Sequence, residues 1–504
     1  MKDKKINRRR FIAATSIGTA SAVFPGGYCL SGTSYRGKSK LAITGGKRLR
    51  ERPFTSWPQS SKRIEDSLVE TAKSGCWYRF QSGSKNVHTF EKKFAEFVGT
   101  KYCLATGSGT QSLHTALFAV GVEAGDEVLV TPLTYIASPQ AIFLNNALPV
   151  FVDVDLNTFQ MDPHKMEPLI NANTKAIEPV HIAGNPCQID EIMEIAKKHS
   201  LKVVEDAAQA HVAELNNKSI GTFGDLACYS FQDSKALPCG EGGAIVGDDK
   251  ELIDLCYAFH NIGQPGRNSS VKGTIMGPKY RMNEWEGAVL LAQIDNVKGQ
   301  VDLRNKNAAY LTKRLDEIPG IVPQRLCKGV TKGTFYLYGF RYLKEYFNNV
   351  PKSKFLKALR AEGVSNTDMY FDRLNKRNFV EHTLNSKAFQ LIYSKERLKR
   401  YREQNECPVN DKLCEQGVWL WQQFLLGTKK DMDDIADAIA KIYKNRDELA
   451  NSYTLEGWEI LASITITCYC KMTYSRKNTN FRSGTLYYEA TYPRINAKSQ
   501  SRAL

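Results

Sequence analysis

Hydrophobic residues follow two alternating periods between residues 101 and 246. In "QSLHTALFAV" the apolar residues Leu113, Ala116 and Leu117 recur at helical spacing, and "IDEIMEIAKKHS" repeats that spacing. Short β-branched runs separate these segments, among them "DEVLVTP", "LPVFVDVD", "AIEPVHI" and "LKVVEDAA". Because helices and buried strands alternate along the chain, the pattern predicts an α/β domain with a mostly parallel sheet.

The alternation ends after "NEWEGAVLLAQIDNV", which is predicted to form one long helix. The following residues mix helical segments such as "KSKFLKALRAEG" and "DDIADAIAKIYK" with the strand-like "TFYLYGFRYL", so a smaller α+β domain is expected. The last segment forms either a disordered tail or a late hairpin at "GTLYYEATYP". The predicted parts of the chain are a signal peptide (1–25), an N-terminal arm (26–60), a large domain (61–300), a small domain (301–450) and a tail (451–504).

The first 25 residues have the layout of a signal peptide. In "NRRRFIAATSIGTASAVFPGG" basic residues precede an apolar stretch, and the small residues at 20–22 offer a cleavage site. The apolar stretch is shorter than the ~20 residues that span a bilayer, which favours removal over anchoring. The arginines at 8–10 resemble a twin-arginine signal and predict export of the folded protein to the periplasm by that machinery. A basic Sec signal is the alternative, and the protein stays cytoplasmic if the signal is not used.

The composition, 42% hydrophobic and 24% charged, is that of an ordinary globular protein. A net charge of +16 invites a nucleic-acid function, yet no zinc-finger, RNP or helix-turn-helix pattern accompanies it, and much of the excess lies near the termini. No nucleic-acid partner is therefore predicted. The twelve cysteines lack zinc-ligand spacing, so no structural metal is expected, while disulfides stay open.

A candidate anion site lies in "TGSGTQS", just before the amphipathic helix. Gly107 and Gly109 allow a close backbone approach, and a helix start offers free N–H groups and a positive dipole end. Hydroxyl side chains add donors, so phosphate is the expected ligand. A plain glycine turn with a hydroxyl N-cap is the alternative. A dinucleotide loop fits less well because the third glycine is missing.

Two further residues bear chemistry. Asp206 in "VVEDAAQAH" is predicted at the carboxyl end of a buried strand, where open α/β sheets bind ligands, unless it merely caps the next turn. Nearby His211 is given no catalytic role. Lys235 in "YSFQDSKALPCGEGGAIVG" stands between an apolar run and glycines. A lysine sheltered from water is a nucleophile and can form a Schiff base. The alternative interpretation is that Lys235 is an ordinary lysine on a surface loop. A phosphate cradle, a carboxylate and a lysine together are what pyridoxal phosphate requires of a protein.

The segments "GSGTQSLHTAL", "AGDEVLVTPLTYIAS", "VEDAAQAH", "GDLACYSFQDSKALPCGEGGAIV" and "YRMNEWEGAVLLAQI" resemble the DegT-type sugar aminotransferases. The resemblance covers roughly residues 40–450. It implies a fold-type I pyridoxal-phosphate enzyme: an α/β large domain with a smaller α+β C-terminal domain. It also implies a homodimer in which "GPKYRMNE" completes the partner's site.

The resemblance implies specific roles. Lys235 would carry the cofactor and move protons as the catalytic residue, with Asp206 beside the pyridine nitrogen. The other residues implied to bind the cofactor are Gln209 near the ring hydroxyl, Tyr135 and Ala208 on the ring faces, Gly109, Thr110, Gln111 and Ser230 at the phosphate, and Lys279.

Two positions depart from the family pattern. Lys279 stands where an asparagine is usual, and Val212 replaces a glycine, where crowding is expected to alter the substrate pocket. Lys235 itself favours transamination, because a dehydratase branch has histidine there. The predicted function is transfer of an amino group from glutamate or glutamine to a keto sugar or keto-cyclitol. A dehydration or elimination on the same scaffold, or an exported non-catalytic cofactor-binding protein, are the alternatives.

Overall fold

The computed structural model describes residues 39–365 and 370–452. The predicted signal peptide and nearly all of the predicted tail lie outside the described residues. The strands are β1 Tyr102–Thr106, β2 Glu127–Val130, β3 Leu148–Phe151, β4 Thr174–Glu178, β5 Lys202–Asp206, β6 Glu214–Leu215, β7 Lys218–Ser219, β8 Leu226–Ser230, β9 Gly243–Gly247, β10 Ile321–Pro323, β11 Val330–Lys332, β12 Leu337–Tyr342 and β13 Gly417–Trp421.

The α-helices are α1 Lys62–Ser74, α2 Asn86–Val98, α3 Gly109–Ala119, α4 Ala137–Leu144, α5 Ile189–Lys198, α6 Lys250–His260, α7 Glu284–Gln293, α8 Val297–Asp316, α9 Lys352–Ala361, α10 Asn378–Leu384, α11 Lys387–Ile392, α12 Lys395–Gln404, α13 Pro408–Gln416, α14 Lys429–Lys444 and α15 Arg446–Asn451. Short 3₁₀ turns connect several of them, including Ile294–Asn296 and Gln422–Leu426.

A seven-stranded sheet in the order β1-β9-β8-β5-β4-β2-β3 forms the centre of the described chain. Its pairs from β8 to β3 are parallel, and only β9 runs against its neighbours within this sheet. One apolar layer, with α2, α5 and α7, covers one face, and a second layer, with α3 and α6, covers the other. The predicted mostly parallel sheet, buried on both faces, is confirmed.

A second sheet, β10-β12-β13, is antiparallel and packs with α8, α9 and α14 around its own apolar core. The segment "TFYLYGFRYL" supplies β12, as expected. The predicted long helix is wrong in one respect, because the 3₁₀ turn Ile294–Asn296 separates α7 from α8. Asp295 in that turn contacts Arg63 at 3.2 Å and Lys93 at 2.6 Å, which ties the junction to α1 and α2. The domain boundaries stay predictions. Helix α8 runs across the one predicted at residue 300.

Helices α10–α12, which the sequence analysis did not anticipate, cover the edge of the large sheet at β3. Tyr401 donates its hydroxyl to the carbonyl oxygen of Pro149 at 2.8 Å, and Asn405 accepts from the backbone N–H of Phe151 at 2.9 Å. Because an open sheet edge is a template for unwanted pairing, this helical layer protects the fold.

Within the described residues no helix is both long enough and apolar enough to cross a membrane. In the same part of the chain, no group of three histidine, cysteine or acidic side chains is placed to hold a metal ion.

Candidate active site

The carboxyl ends of β1, β5 and β8 meet at one rim of the large sheet. There the loops that follow these strands enclose a cavity of about 420 Å³. Open α/β sheets bind their ligands at this rim, because the connecting loops diverge there and leave a crevice. Each of the three motifs singled out in the sequence contributes to its wall.

The loop after β1 forms an anion cradle. Ser108 caps α3 by accepting the backbone N–H of Gln111 at 3.2 Å, and Gly109 and Thr110 of the first turn line the cavity. A Cβ on Gly109 would lie 2.8 Å from the Cβ of Ser230, so only glycine allows β8 and the helix start to approach this closely. The hydroxyls of Ser108, Thr110 and Ser230 line the same wall. These donors suit a phosphate group.

Asp206 closes the cavity at the end of β5 and is almost fully buried. Its Oδ2 accepts from the hydroxyl of Ser138 at 2.8 Å, and its Oδ1 accepts from the backbone N–H of Ala208 at 3.1 Å. Burial raises the pKa of Asp206, while these hydrogen bonds and the charge of Lys235 oppose the rise. A cation that reached Asp206 would therefore gain a desolvated partner whose orientation is already fixed.

Lys235 lines the cavity, with 7% of its surface exposed. Its Nζ is 4.6 Å from the ring centroid of Tyr336, and no described residue forms a hydrogen bond or ion pair with it. Its backbone is held firmly, since its N–H donates to Gln232 at 2.8 Å and its carbonyl accepts from the indole of Trp57 at 3.2 Å. A fixed backbone with a free amine is what covalent chemistry at Nζ needs.

Eight of the ten predicted cofactor-binding residues line this cavity: Gly109, Thr110, Tyr135, Asp206, Ala208, Gln209, Ser230 and Lys235. Gln111 is absent from the lining, and its Oε1 is 2.7 Å from where a Cβ on Gly107 would be. Lys279 is absent as well, and lies instead in a surface basin with Trp77 and Trp285.

The sequence analysis gave no role to several residues at the site. Ser138, which fixes Asp206, is one turn from Thr134 on the cavity wall, and their hydroxyls are 2.8 Å apart; the spacing T-x₃-S in "TYIAS" was the available signal. Tyr370 and Trp421 reach the cavity from the distant second half of the chain. Nothing local in the sequence predicts their position, since only tertiary packing brings them there.

Two residues near the site do not act at it. His211 is buried against Tyr229 and Phe231, and burial lowers its pKa to about 3, so it is a neutral structural side chain. Val212 packs on the core of the large sheet and does not line the cavity, in contrast to the expected crowding.

Glu178 at the end of β4 is a carboxyl that the sequence analysis missed. It is fully buried, and neither of its oxygens has a hydrogen-bond partner in the described residues. Burial raises the pKa of Glu178 well above its ordinary value, and the charge of Asp206 adds to the effect. Glu178 lies within the predicted strand "AIEPVHI", and the hydrophobic pattern does not distinguish it from the other residues of that strand.

The cradle, the buried carboxylate and the free lysine amine fit the phosphate, ring nitrogen and aldehyde of pyridoxal phosphate. With the seven-stranded sheet, they define a fold-type I pyridoxal-phosphate-dependent aminotransferase. The chain belongs to the DegT/DnrJ/EryC1/StrS aminotransferase family, whose model matches residues 58–440.

Curated relatives match this chain along nearly their whole length. The L-glutamine:scyllo-inosose aminotransferase of Streptomyces griseus is 34% identical over 430 residues, covering 82% of this chain and 99% of that protein. The L-glutamine:2-deoxy-scyllo-inosose aminotransferase of Streptoalloteichus tenebrarius is 34% identical over 426 residues, covering 81% and 99%.

Solved structures agree with this assignment. The crystal structure of 3-amino-5-hydroxybenzoic acid synthase superposes with a TM-score of 0.69 at 29% identity, covering 79% of this chain and all of that one. An aminotransferase from Psychrobacter cryohalolentis gives a TM-score of 0.68 at 26% identity, covering 78% and 100%. The predicted fold class and the predicted aminotransferase activity are thereby confirmed.

Proposed function

We propose that this enzyme transfers the amino group of L-glutamine to a ketone on an uncharged polyhydroxylated ring, a keto-cyclitol of the inosose type. The names of its relatives support both the donor and the acceptor. Glutamate as donor and a keto sugar as acceptor are the alternatives within the same reaction.

The observation that carries the acceptor class is the composition of the cavity wall. Among the described residues of a single chain that line it, Lys235 is the only cation. A nucleotide-linked sugar would bring a diphosphate, which proteins usually bind with arginine or lysine. The wall instead offers the hydroxyls and amides of Thr134, Gln232 and Ser234 and the aromatic face of Trp421, which suit ring hydroxyls.

The proposed roles follow from the contacts. Lys235 Nζ, free of partners, takes a proton from the α-carbon of the amino donor and later returns one to the carbon that receives nitrogen. Asp206, held by Ser138 and Ala208, would keep a negative charge against the ring nitrogen of the cofactor. The α3 start and Ser230 would hold the phosphate. Pyridoxal phosphate, when bound, supplies the electron sink that makes the α-carbon acidic.

A half-reaction experiment tests the donor and the acceptor separately. Purified protein loaded with pyridoxal phosphate is mixed with L-glutamine, and loss of its visible absorption band is followed. The amino-loaded enzyme is then offered scyllo-inosose, 2-deoxy-scyllo-inosose or a nucleotide-linked keto sugar. We expect the inososes to restore the band much faster than the nucleotide sugar; the reverse order would exclude the cyclitol proposal.

We propose that a second copy of the chain completes the site. The basin that contains Lys279, about 760 Å³ in volume, exposes roughly half of the side chains of Trp77 and Tyr78, an aromatic surface typical of interfaces. Arg281 lies beside them, so the basin also carries positive charge. A partner's Lys279 would reach the phosphate or the donor carboxylate, neither of which has a second cation in this chain's own cavity.

Complementation between two inactive variants tests this proposal. Lys235→Ala loses the cofactor lysine, and Lys279→Glu reverses the charge that the partner contributes. If the site is shared, mixing and refolding the two in equal amounts restores about a quarter of the wild-type activity, because half of the dimers are mixed and each has one intact site. No recovery in a mixture of proven dimers would place the site within one chain.

We propose export through the twin-arginine route, from the arginines at 8–10 in the part of the chain that the structure does not describe. Residues 1–35 fused to a reporter should direct its secretion, and Arg8→Lys with Arg9→Lys should abolish it. Secretion that survives both changes would favour a basic Sec signal.

A further inference from the structure

Two buried side chains outside the cavity connect α8 to the backbone beside Lys235. Arg304 and Gln422 have no exposed surface, and Nη1 of Arg304 donates to Oε1 of Gln422. Gln422 in turn donates from Nε2 to the carbonyl oxygen of Ser234, the residue before the lysine. A chain of hydrogen bonds therefore runs from α8, through the 3₁₀ turn after β13, to the lysine loop.

Arg304 is a costly charge to bury. No Asp or Glu in the described part of the chain forms an ion pair with it, its Nε donates only a long bond to Gln300 at 3.4 Å, and its Nη2 has no partner. Burial lowers the pKa of Arg304 to about 9. Because an apolar side chain of similar volume would usually stabilise such a position, packing alone does not explain an arginine here.

The arginine determines which way the amide of Gln422 faces. A guanidinium has N–H donors and no acceptor, so only the oxygen end of the amide can meet it. The NH₂ end is thereby directed to the carbonyl of Ser234. With an apolar residue at 304, either orientation of the amide would be open and the contact to Ser234 would be lost part of the time.

We propose that Arg304 and Gln422 are positioning residues for Lys235. They fix the carbonyl of Ser234, while Trp57 fixes the carbonyl of Lys235 from the N-terminal arm. Together these contacts hold Nζ over the ring of Tyr336. This inference rests on the proposed role of Lys235 as the cofactor lysine.

The variant Gln422→Glu separates positioning from stability. A carboxylate keeps an acceptor for Arg304 and gives it an ion-pair partner, but it has no N–H for Ser234. We expect an unchanged or higher melting temperature of the apo-protein, together with slower development of the visible band after pyridoxal phosphate is added. A displaced amine should slow that capture and lower kcat by roughly 10- to 100-fold, with KM for the acceptor unchanged.

Matched variants complete the experiment. Gln423→Glu makes the same change at the next residue of the turn, which is half-buried, and should leave capture and kcat unchanged. Arg304→Met should slow capture like Gln422→Glu, because the amide is then free to turn. Capture at the wild-type rate in Gln422→Glu, or slowing that only parallels a loss of thermal stability, would overturn the inference. Lys235→Ala should show no band; a band there would contradict the proposed function instead.

Discussion

Two regions of this enzyme bury charged side chains, and they treat them in opposite ways. In the arm ion-pair cluster, Arg50 lies between Asp431 and Asp434, with N–O distances of 2.7 and 2.8 Å, and all three side chains are at most 9% exposed. Around the cavity, Lys235 and Glu178 are equally buried, yet neither contacts an opposite charge in the described residues. The first arrangement fastens the N-terminal arm to α14, whereas the second leaves the amine of Lys235 available at the cavity and Glu178 buried without a charged partner.

The contrast shows how buried charge divides between stability and function. Once a buried pair exists, removing one partner is severely destabilising, because the other charge is left alone. A buried charged group without a partner already destabilises the folded state. Removing such a group should therefore cost little stability or even increase the stability. Variants at the two regions should therefore change stability and activity independently.

The largest expected effect is the loss of activity in Lys235→Ala. Without the amine there is no covalent attachment and no group to move the proton, so kcat/KM with L-glutamine and an inosose should fall by about 10⁴-fold or more. The melting temperature of the apo-protein should not fall, because Nζ has no polar partner to lose. A marked fall in melting temperature would mean that Lys235 serves the fold, and the comparison would fail.

The opposite outcome is expected at the arm ion-pair cluster. Arg50→Met leaves the two buried carboxylates with only the more exposed Arg52 and Lys430 as partners, which should cost about 3 kcal/mol of stability. The visible band of the loaded enzyme should be unchanged at temperatures where the protein stays folded. The exposed pair Lys47–Glu51 provides a control, since Lys47→Met should leave the melting temperature unchanged. If Arg50→Met is as stable as the control, the cluster does not fasten the arm.

Glu178 sharpens the comparison through its pH dependence. The ordinary pKa of this carboxyl is 4.5, and in the folded state its pKa is raised. Above pH 4.5 the unfolded state therefore releases a proton that the folded state keeps. Folding is therefore opposed by this group at pH 7–8, and the opposition disappears as the pH falls towards 4.5. Glu178→Leu should stabilise the apo-protein by roughly 1–3 kcal/mol at pH 8 and by less at pH 5.

Thermal denaturation of the apo-protein at both pH values measures this effect. Glu178→Gln cannot ionise but keeps its polar atoms. It should show the pH-dependent part of the gain in stability, and less of the part that comes from removing buried polar atoms. A loss of stability at pH 8 in both variants would show that Glu178 has a partner that holds it, and that this carboxyl belongs with the paired charges of the arm.

The sequence predicted the local parts of this site well and the assembled parts poorly. The cradle, Asp206 and Lys235 could be located because each belongs to a short motif at a strand end. Gln111 was assigned to the cradle from the family resemblance, and that role stays a prediction, since its side chain is absent from the cavity lining. Tyr336 and Trp421 approach only after the second sheet packs against the first, and no periodicity records that contact.

Val212 yields the smallest predicted effect, and it separates strain near the site from function at the site. Its φ of +67° lies in the left-handed region, where a β-branched residue is strained by about 1–3 kcal/mol. Glycine relieves this strain, but the packing of the valine side chain on the core is lost. Glycine also makes the unfolded chain more flexible, which offsets about 0.4–1 kcal/mol of the gain in stability. Val212→Gly should therefore raise stability by only about 1 kcal/mol and leave kcat unchanged, because Val212 does not line the cavity.

Asn217→Gly, at a φ of +61° that asparagine tolerates, is the control and should change little. If Val212→Gly lowers the melting temperature, the apolar contact outweighs the strain; if it changes kcat, the turn after His211 shapes the cavity after all.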